Sequence, residues 1–458
     1  MKVMKFGGST IKNLKMIDRV GELIKMEKRK KVIVVSALYR QTNEIREFLT
    51  KIRTDKTEID SFISKIRTKH RSFAKSAIDN KKILTKTLKA VDKHILKSER
   101  LLYGVGYTEE LTPRTKDLIL SSAERMSAYI MEGVLLSKNV KAKAYEADQI
   151  GIVTDGIFCN ATADLRRTGR NLKKTIVPDL KKGIVPVITG FFGCDQDGRT
   201  TTFGKNGSDY SAAVIANAIN ANTLELWKDV DGFMSADPKI DKNAYTIDKL
   251  SYDEAAELAH FGISLVHPRT VEPVRLKNIP IVIKNILGPE EKGTRIASKG
   301  YVTKDVIKSV VYSTDLVEIK VSAAGAGSRP GVLSAVAEAL NKANINIYSV
   351  TTSQTHLSLL VHKSDYRTCS QALTAIKGGL IERIDFQKDI ALVCVVGEGS
   401  RSTKGLASKI FTAVAEEGLN IEIISAGASR VASHFIVNKK DMIKTIIAIH
   451  NIFCKKIR

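Results

Sequence analysis

Apolar residues in the first 300 positions recur in two alternating patterns. Short runs rich in valine and isoleucine, at 3–6 and 32–36, are typical of strands buried on both faces of a parallel sheet. Between them, over 16–27, apolar residues return at helical spacing, which predicts a strand–helix–strand unit with a glycine turn at its first crossing. The alternation continues to about Leu287 and predicts an α/β domain with a mostly parallel sheet. The other predicted elements are helices over 44–118, 122–137 and 210–221 and strands over 183–192 and 223–227.

The last third of the chain contains an internal repeat. The sequence GAGSR at 325–329 returns 72 residues later as GEGSR at 397–401, and Asn346-Ile347 returns 74 residues later as Asn420-Ile421. Each copy has the pattern of a strand, a glycine loop, a helix and further strands, which indicates a small βαββ-type module used twice. A polar loop, GPEEKGT, precedes the repeats. The predicted domains are 1–300, 301–384 and 385–458, and the segment 301–315 also suits a strand that pairs with the second module.

The charge balance indicates anionic partners of small size. Lys and Arg number 73 against 49 Asp and Glu, a net charge of +24. Between residues 44 and 100, 16 basic and 8 acidic residues alternate with apolar ones at helical spacing, and no Tyr or Trp lies among them. Without aromatic rings on which bases could stack, this stretch favours solvated helical faces over a nucleic-acid groove. The remaining candidates are nucleotides and acidic metabolites.

Several classes of protein are disfavoured by what the sequence lacks. No run of 18 apolar residues is present, so no membrane-spanning helix is expected. The first ten residues, MKVMKFGGST, have the pattern of a strand and turn rather than of a secretory signal. The five cysteines form no C-x-x-C pair and the histidines form no H-x-x-x-H, so we expect reduced thiols, a cytoplasmic location and no metal cage.

The first candidate for chemistry is KFGGST at 5–10. Glycines after a buried strand allow backbone N–H groups to approach phosphate oxygens, and Lys5 adds a positive charge. Ser9 and Thr10 add hydroxyl donors at a helix start. The P-loop signature G-x-x-x-x-G-K-[ST] is absent. Taken alone, this segment is also explained by a plain strand-to-turn connection.

Two further clusters follow predicted strands. The polar loop TTTFGKNGSD at 200–209 leads into a helix that Ser208 or Asp209 is predicted to cap, and it places Lys205 near the positive helix terminus. The acidic loop WKDVDGFMSADPK at 227–239 leaves a buried strand at the kind of edge where α/β sheets bind ligands. An ordinary strand-to-turn connection explains this second loop equally well.

Together these segments resemble the aspartate kinases of the amino-acid kinase superfamily, followed by two ACT-type regulatory modules. The resemblance implies an amino-acid kinase fold and two βαββαβ ferredoxin-like modules. It extends over essentially the whole chain, in the family's order. The matching segments are KFGGST (5–10), VVSALYRQTN (34–43), ERMSAYIMEGVL (124–135), TTFGKNGSDYSA (201–212), WKDVDGFMSADP (227–238) and LSYDEAAELAHFGISLVHPRTVEP (250–273).

The resemblance implies ATP:L-aspartate phosphotransfer, which forms 4-phospho-L-aspartate on the route to lysine, threonine and methionine. It implies catalytic roles for Lys5, Lys205 and Asp209. It implies a substrate site of Ser9, Ser36, Thr42, Glu124 and Ser208, with Glu124 accepting from the α-ammonium of aspartate. The implied ATP site consists of Lys5, Gly7, Gly8, Lys228, Asp229, Met234 and Lys239.

Elementary chemistry agrees with a site that lacks a general base. The β-carboxylate of aspartate is already ionised at neutral pH, so the nucleophile needs no proton acceptor. Catalysis then rests on positioning and charge neutralisation, with Mg²⁺ held mainly by the ATP phosphates and no metal site on the chain. His260 and His267 are therefore interpreted as structural.

The sequence departs from the family pattern at three positions. Lys205 stands where the family usually has arginine, Ser264 where it often has lysine, and Met234 where it often has tyrosine. Arginine binds a carboxylate through two parallel N–H bonds whereas lysine offers a point charge, so substrate affinity is in question. Two alternatives stay open: a kinase for another amino acid such as glutamate, and an amino-acid sensor with a weakened site.

The ACT resemblance implies feedback by an amino acid and a homodimer or higher homo-oligomer formed through these modules. Tyr348 and Gln354 stand at positions where lysine-responsive members carry acids. Because an ammonium buried without a carboxylate is costly, threonine is favoured over lysine as the effector. The alternative is that the modules serve only to join subunits. The implied effector site consists of Gly331, Val332, Leu333, Ile347, Thr352, Ser353 and Gln354, beside the loop 325–329.

Overall fold

A computed structural model describes residues 1–51, 56–262, 265–323, 330–376, 378 and 381–454. The described strands are β1 (Lys2–Phe6), β2 (Lys31–Val35), β3 (Ala142–Tyr145), β4 (Val185–Thr189), β5 (Phe192–Cys194), β6 (Thr200–Thr202), β7 (Thr223–Lys228), β8 (Lys249–Ser251), β9 (Ile281–Asn285), β10 (Thr294–Ala297), β11 (Ser309–Ser313), β12 (Leu316–Ser322), β13 (Ser349–Thr352), β14 (His356–His362), β15 (Arg383–Gln387), β16 (Ile390–Val396), β17 (Ile423–Ser425) and β18 (Ala432–Asn438).

The described α-helices are α1 (Leu14–Met26), α2 (Gln41–Leu49), α3 (Lys56–Ala77), α4 (Lys81–Thr108), α5 (Pro113–Leu120), α6 (Ser122–Ser137), α7 (Leu165–Thr175), α8 (Val177–Lys181), α9 (Gly207–Ala218), α10 (Tyr252–Phe261), α11 (Pro268–Arg275), α12 (Val332–Lys342), α13 (Tyr366–Thr374), α14 (Leu406–Glu416) and α15 (Met442–Phe453). Short 3₁₀ turns cover Gly8–Ile11, Lys363–Asp365 and Lys439–Asp441.

The chain divides into two compact units. The first unit comprises residues 1–233, 248–252 and 265–299, and the second comprises 234–247, 253–264 and 300–458. The sequence predicted one continuous domain over 1–300, whereas this division assigns two short internal segments of that span to the second unit.

The first unit is built on one sheet with the strand order β3-β4-β2-β1-β7-β9-β10-β8. Neighbouring strands are parallel except for β9 and β10, which are antiparallel. The residues of β1, β2 and β4 are buried throughout, because helices cover both faces of a parallel sheet. The predicted fold class, α/β with a mostly parallel central sheet, is confirmed.

Helices account for the basic stretch 44–100. It forms most of α2 together with α3 and α4, which bury Ile59, Ile63, Ile66 and Val91 against the core. The lysines of α3 and α4 are exposed or partly exposed, as on a solvated helical face.

After the strand predicted over 183–192, the sequence predicts a polar, glycine-bearing loop to Gly207, but part of this stretch is ordered into strands. Phe192–Cys194 and Thr200–Thr202 pair antiparallel as a short buried hairpin. The loop prediction is wrong for residues 193–194 and 200–202, whereas Phe192 was predicted to be in a strand. Their backbone groups are buried, and pairing satisfies them.

The second unit contains both predicted modules. The first has the complete order β12–α12–β13–β14–α13–β15, with a sheet of order β13-β14-β12-β15. The second module has β16–α14–β17–β18–α15, and β11 takes the edge position beside β16 in its sheet. The strand within 301–315 thus comes before the first module in sequence but belongs to the sheet of the second.

A buried hydrogen-bonded chain ties the segment 234–247 to α15. Ser235 Oγ lies 2.9 Å from His450 Nε2, and His450 Nδ1 lies 2.7 Å from Asp241 Oδ2. The order is that of a serine hydrolase triad, but Ser235 is fully buried and its hydroxyl also accepts the Tyr245 N–H. The arrangement is a structural connection that explains why this segment groups with the second unit.

Among the residues that the structure describes, no helix combines the length and the apolar character needed to cross a bilayer.

Candidate active site

A cleft of about 660 Å³ opens in the first unit at the carboxyl ends of three neighbouring parallel strands, β1, β2 and β7. Ligands bind at this edge in open α/β sheets. The amino end of α9 and part of α6 complete the walls. The cleft residues that the sequence had singled out are Lys5, Gly7, Gly8, Ser9, Ser36, Thr42, Glu124, Lys205, Ser208, Asp209 and Lys228.

Two lysines of the cleft form ion pairs with one carboxylate, that of Asp209. Lys5 Nζ lies 2.5 Å from Asp209 Oδ1, and Lys228 Nζ lies 2.8 Å from Asp209 Oδ2. Burial acts to raise the pKa of Asp209, but the charges of Lys228 and Lys5 outweigh it and hold that pKa well below its ordinary value. Burial also lowers the pKa of Lys5, an effect that Asp209 opposes. Asp209 therefore stays ionised and fixes the positions of both ammonium groups.

The glycine turn after β1 lies against the turn after β2. A Cβ on Gly8 would come within 3.1 Å of the Ala37 carbonyl oxygen, so a larger residue would separate the two turns. Thr10 Oγ1 donates to the Gly7 carbonyl at 2.7 Å and closes the turn. Ser9 Oγ donates to Asp229 Oδ1 at 3.1 Å, which links the first turn to the end of β7.

Glu124 is a buried carboxylate with an unused oxygen. The residue is 2% exposed, and Thr42 Oγ1 donates to its Oε1 at 3.1 Å. Within the described part of the chain, Oε2 has no hydrogen-bond partner. Burial raises the pKa of Glu124 to about 8, although the Thr42 hydrogen bond opposes the shift. A buried carboxyl group left half-satisfied fits a ligand that brings a cation.

The predicted cap of α9 is wrong. Asn206, in the left-handed conformation at φ 56°, occupies the cap position and makes no side-chain cap bond, while Ser208 and Asp209 lie inside the first turn. Asp209 instead pairs with the lysines of β1 and β7. Ser208 is buried and Lys205 is exposed at the cleft margin.

Asp117, on α5, connects two backbone segments that line the cleft. Asp117 accepts from the backbone N–H groups of Cys159 and Thr202, both at 2.8 Å, and from Thr202 Oγ1 at 2.6 Å. Arg269, in the first turn of α11, donates to Asn160 Oδ1 at 2.8 Å and to the Ala161 carbonyl at 2.5 Å. These bonds hold the segment 159–161 and residue 202 in place, and Cys159 and Thr202 line the cleft. Neither Asp117 nor Arg269 had been singled out from the sequence.

Not all predicted ATP residues line the cleft. Asp229 is exposed and connected to it through Ser9. Met234 belongs to the second unit, where its sulfur accepts the Thr246 hydroxyl at 3.4 Å. Lys239 also lies in that unit and is exposed.

His267 caps α11 by accepting the Arg269 N–H at 3.3 Å, in keeping with a structural role.

Several cleft residues escaped the sequence reasoning. Gln41 is fully buried, and neither polar atom of its side chain has a partner among the described residues. Both Gln41 and Arg40 lie in the quoted segment 34–43, from which only Ser36 and Thr42 had been chosen. Further cleft residues that were not chosen include Asn43, Arg46, Lys116, Cys159 and Phe191.

The predicted effector residues lie in the first ACT module. Gly331 takes φ 101° at the start of α12, followed by buried Val332 and exposed Leu333. Ile347 packs against the module core, and Thr352 ends β13. Ser353 and Gln354 lie in the exposed turn before β14. The loop 325–329, and Ser264 of the first domain, lie outside the described residues.

Comparisons with known proteins agree with this architecture. The Amino acid kinase family profile matches residues 1–285, and two ACT domain profiles match 312–375 and 393–453. Aspartokinase 3, chloroplastic, of Arabidopsis thaliana is 32% identical over 471 residues, covering 98% of this chain and 81% of that protein. The aspartokinase of Saccharomyces cerevisiae is 29% identical over 427 residues, covering 87% and 80%.

Solved structures show the same fold. The Clostridium acetobutylicum aspartate kinase superposes with a TM-score of 0.82 at 25% identity, covering 99% of this chain and 100% of that one. Escherichia coli aspartokinase III, solved in complex with aspartate and ADP, superposes with a TM-score of 0.83 at 23% identity and the same coverage.

The chain belongs to the amino acid kinase family. Within that family it groups with the aspartokinases that carry C-terminal ACT domains, as the motifs of the sequence predicted.

Proposed function

We propose that this chain is an ATP-dependent aspartate kinase that transfers the γ-phosphoryl group of ATP to the β-carboxylate of L-aspartate, giving 4-phospho-L-aspartate. The observation that carries the proposal is the pairing, in one cleft, of a buried carboxylate with a free oxygen and a lysine pair. Glu124 Oε2 suits an ammonium group, and Lys5 and Lys228 suit phosphate oxygens. An amino acid and a nucleotide together supply both groups.

The phosphate side of the reaction is assigned to the turn after β1 and to α9. Gly7 and Gly8 allow the backbone to approach the phosphates closely. Lys5 neutralises the charge that develops on the transferring phosphoryl group, and Lys228 does so on the adjacent phosphate. Asp209 holds both lysines in place rather than accepting a proton, since its pKa is held low. Asp229, Met234 and Lys239 stay proposed contacts of the nucleotide.

The amino-acid side is assigned to α2 and α6. Glu124 accepts from the α-ammonium of aspartate, and Thr42 orients that carboxylate. Ser9, Ser36, Ser208 and Lys205 are proposed to hold the carboxylates. Because the β-carboxylate is already ionised, attack on phosphorus requires only that the two groups be held in line.

The described residues fit a magnesium ion that arrives with the nucleotide. No three His, Cys, Asp or Glu side chains of the described ranges lie close enough together to hold a metal. Both oxygens of Asp209 are already paired with lysines. When bound, Mg²⁺ would neutralise phosphate charge beside Lys5 and Lys228.

A panel of amino acids tests the proposed reaction. We expect ADP release with ATP and L-aspartate, and at least 100-fold lower kcat/KM with L-glutamate, whose extra methylene displaces the reacting carboxylate from its in-line position. Equal rates with glutamate would favour the first alternative, a kinase for another amino acid such as glutamate. Tight binding of aspartate without ADP release would favour the second alternative, an amino-acid sensor with a weakened site.

The ACT modules are proposed to bind a feedback effector and to join subunits into a homodimer, which light scattering can test. A neutral set of side chains, Thr352, Ser353 and Gln354, suits the hydroxyl of threonine better than an ammonium group. Escherichia coli aspartokinase III has been solved with lysine and aspartate, so lysine is a second candidate effector beside threonine.

A cytoplasmic location is proposed from the five free cysteines and can be tested by fractionation.

Titration with effectors separates these alternatives. We expect threonine to inhibit at lower concentration than lysine, and we expect Gln354→Glu to improve inhibition by lysine because it provides a partner for the ε-ammonium. Initial rates at fixed aspartate and ATP are the measurement. Inhibition of the unaltered enzyme by lysine alone would contradict the pocket argument, and a lack of response to both would leave subunit association as the role of the modules.

A further inference from the structure

We propose that Arg46 binds the α-carboxylate of the amino-acid substrate and, with Glu124, makes the site specific for α-amino acids. The inference rests on the proposed aspartate kinase function and adds a residue that the family resemblance does not assign. It concerns the wall of the cleft formed by α2.

Arg46 shares a helix face with the residue that orients Glu124. Thr42 and Arg46 are four positions apart on α2, and residues at this spacing lie on one face about 6 Å apart along the axis. Thr42 donates to Glu124 Oε1, and both Thr42 and Arg46 line the cleft. The positive charge of Arg46 also acts on Glu124, where it opposes the effect of burial on the pKa. The two charges therefore lie close enough to interact.

The Arg46 guanidinium is oriented before any substrate binds. Arg46 is half-buried, and its Nη1 donates to Asn43 Oδ1 at 2.9 Å. This bond uses one edge of the planar group and restricts its rotation. A guanidinium can bind a carboxylate with two parallel N–H bonds. A guanidinium whose orientation is already fixed loses less conformational entropy when it binds the carboxylate.

Other cations of the cleft are less suited to this role. Arg40 and Lys205 are exposed, and lysine offers a single point charge rather than a planar fork. Lys116 lies on α5 and likewise carries an ammonium. An α-amino acid presents its ammonium and carboxylate on one carbon, and Glu124 on α6 and Arg46 on α2 both line the cleft with opposite charges.

Removing the α-carboxylate from the substrate gives the sharpest test. β-Alanine keeps the amino group and the carboxylate that would react, but it lacks the α-carboxylate. In Arg46→Gln we expect KM for L-aspartate to rise about 10- to 100-fold, the effect of losing hydrogen bonds to a charged group. We expect KM for ATP and kcat/KM for β-alanine to stay within about twofold. Where β-alanine is not phosphorylated, its inhibition constant against aspartate is the measurement.

Matched variants make the outcome decisive. Arg46→Lys should recover part of the lost affinity for aspartate, and Arg40→Gln should keep most of the discrimination between aspartate and β-alanine. Equal losses for both ligands in Arg46→Gln, or loss of discrimination in Arg40→Gln instead, would overturn the proposal. An unaltered enzyme that does not phosphorylate aspartate would instead overturn the proposed function itself.

Discussion

Replacing Lys5 with methionine is expected to lower kcat about 10²- to 10³-fold, the scale for removing one electrostatic donor from a transition state. The ammonium is buried in the cleft, and a carboxylate 2.5 Å away fixes its position. Methionine keeps most of the side-chain volume but removes the charge that would meet the transferring phosphoryl group. Steady-state rates with saturating ATP and aspartate are the measurement, together with the unfolding midpoint of each purified variant.

Lys2 provides the matched control for this prediction. It lies at the other end of the same strand, is buried, and pairs with Glu225 at 2.5 Å, but it does not line the cleft. Lys2→Met should therefore lower the unfolding midpoint while kcat stays within a few-fold of normal. Near-normal turnover in a folded Lys5→Met variant would exclude the proposed role of Lys5.

Replacing Glu124 with glutamine is expected to raise KM for aspartate about 10- to 100-fold and to leave KM for ATP nearly unchanged. The glutamine keeps the shape and the Thr42 contact but cannot offer a negative charge to the α-ammonium. Glu132, on the same helix, is a matched control because it is also buried but pairs with Lys86 outside the cleft. Glu132→Gln should leave both KM values unaltered, and equal changes in both KM values of Glu124→Gln would indicate a structural role.

The same residue predicts a pH dependence. Burial raises the pKa of Glu124 to about 8, so the carboxyl group of the free enzyme is mostly protonated at pH 6 and 7. Pairing with an ammonium requires the ionised form, so the bound state has the lower pKa and binding releases a proton. KM for aspartate should therefore fall as pH rises from 6 to about 8 and level off above. In Glu124→Gln, KM for aspartate should not decrease over this pH range.

The sequence predicted the parts of the site that follow buried strands directly. Lys5 lies near the carboxyl end of β1, the glycines follow that strand, and Lys228 ends β7, so parallel pairing alone brings them to one edge. Glu124 was found through the family resemblance. Its position in the first turn of α6 is equally compatible with a simple interaction with the helix dipole, and its burial and free oxygen are what favour a ligand instead.

Features that depend on contacts between distant segments could not be predicted. An aspartate in a first helical turn is normally interpreted as a cap, and nothing local shows that Asp209 pairs with lysines 204 and 19 positions away. The pairing of β11 with the second ACT sheet also joins distant segments, 79 to 87 residues apart, but there the repeat pattern had already offered 301–315 as a strand of that module. Arg46 was within reach, because its spacing from Thr42 placed both on one helix face.

Isotope transfer from the substrate tests the central claim most directly. L-Aspartate labelled with ¹⁸O in both oxygens of its β-carboxylate is incubated with ATP, the enzyme and hydroxylamine, which attacks the acyl carbon of the product and releases phosphate. If the β-carboxylate attacks the γ-phosphorus, the released phosphate carries one ¹⁸O atom, as mass spectrometry will show. Phosphate released without ¹⁸O would mean that water or another group is the acceptor, and would contradict the account.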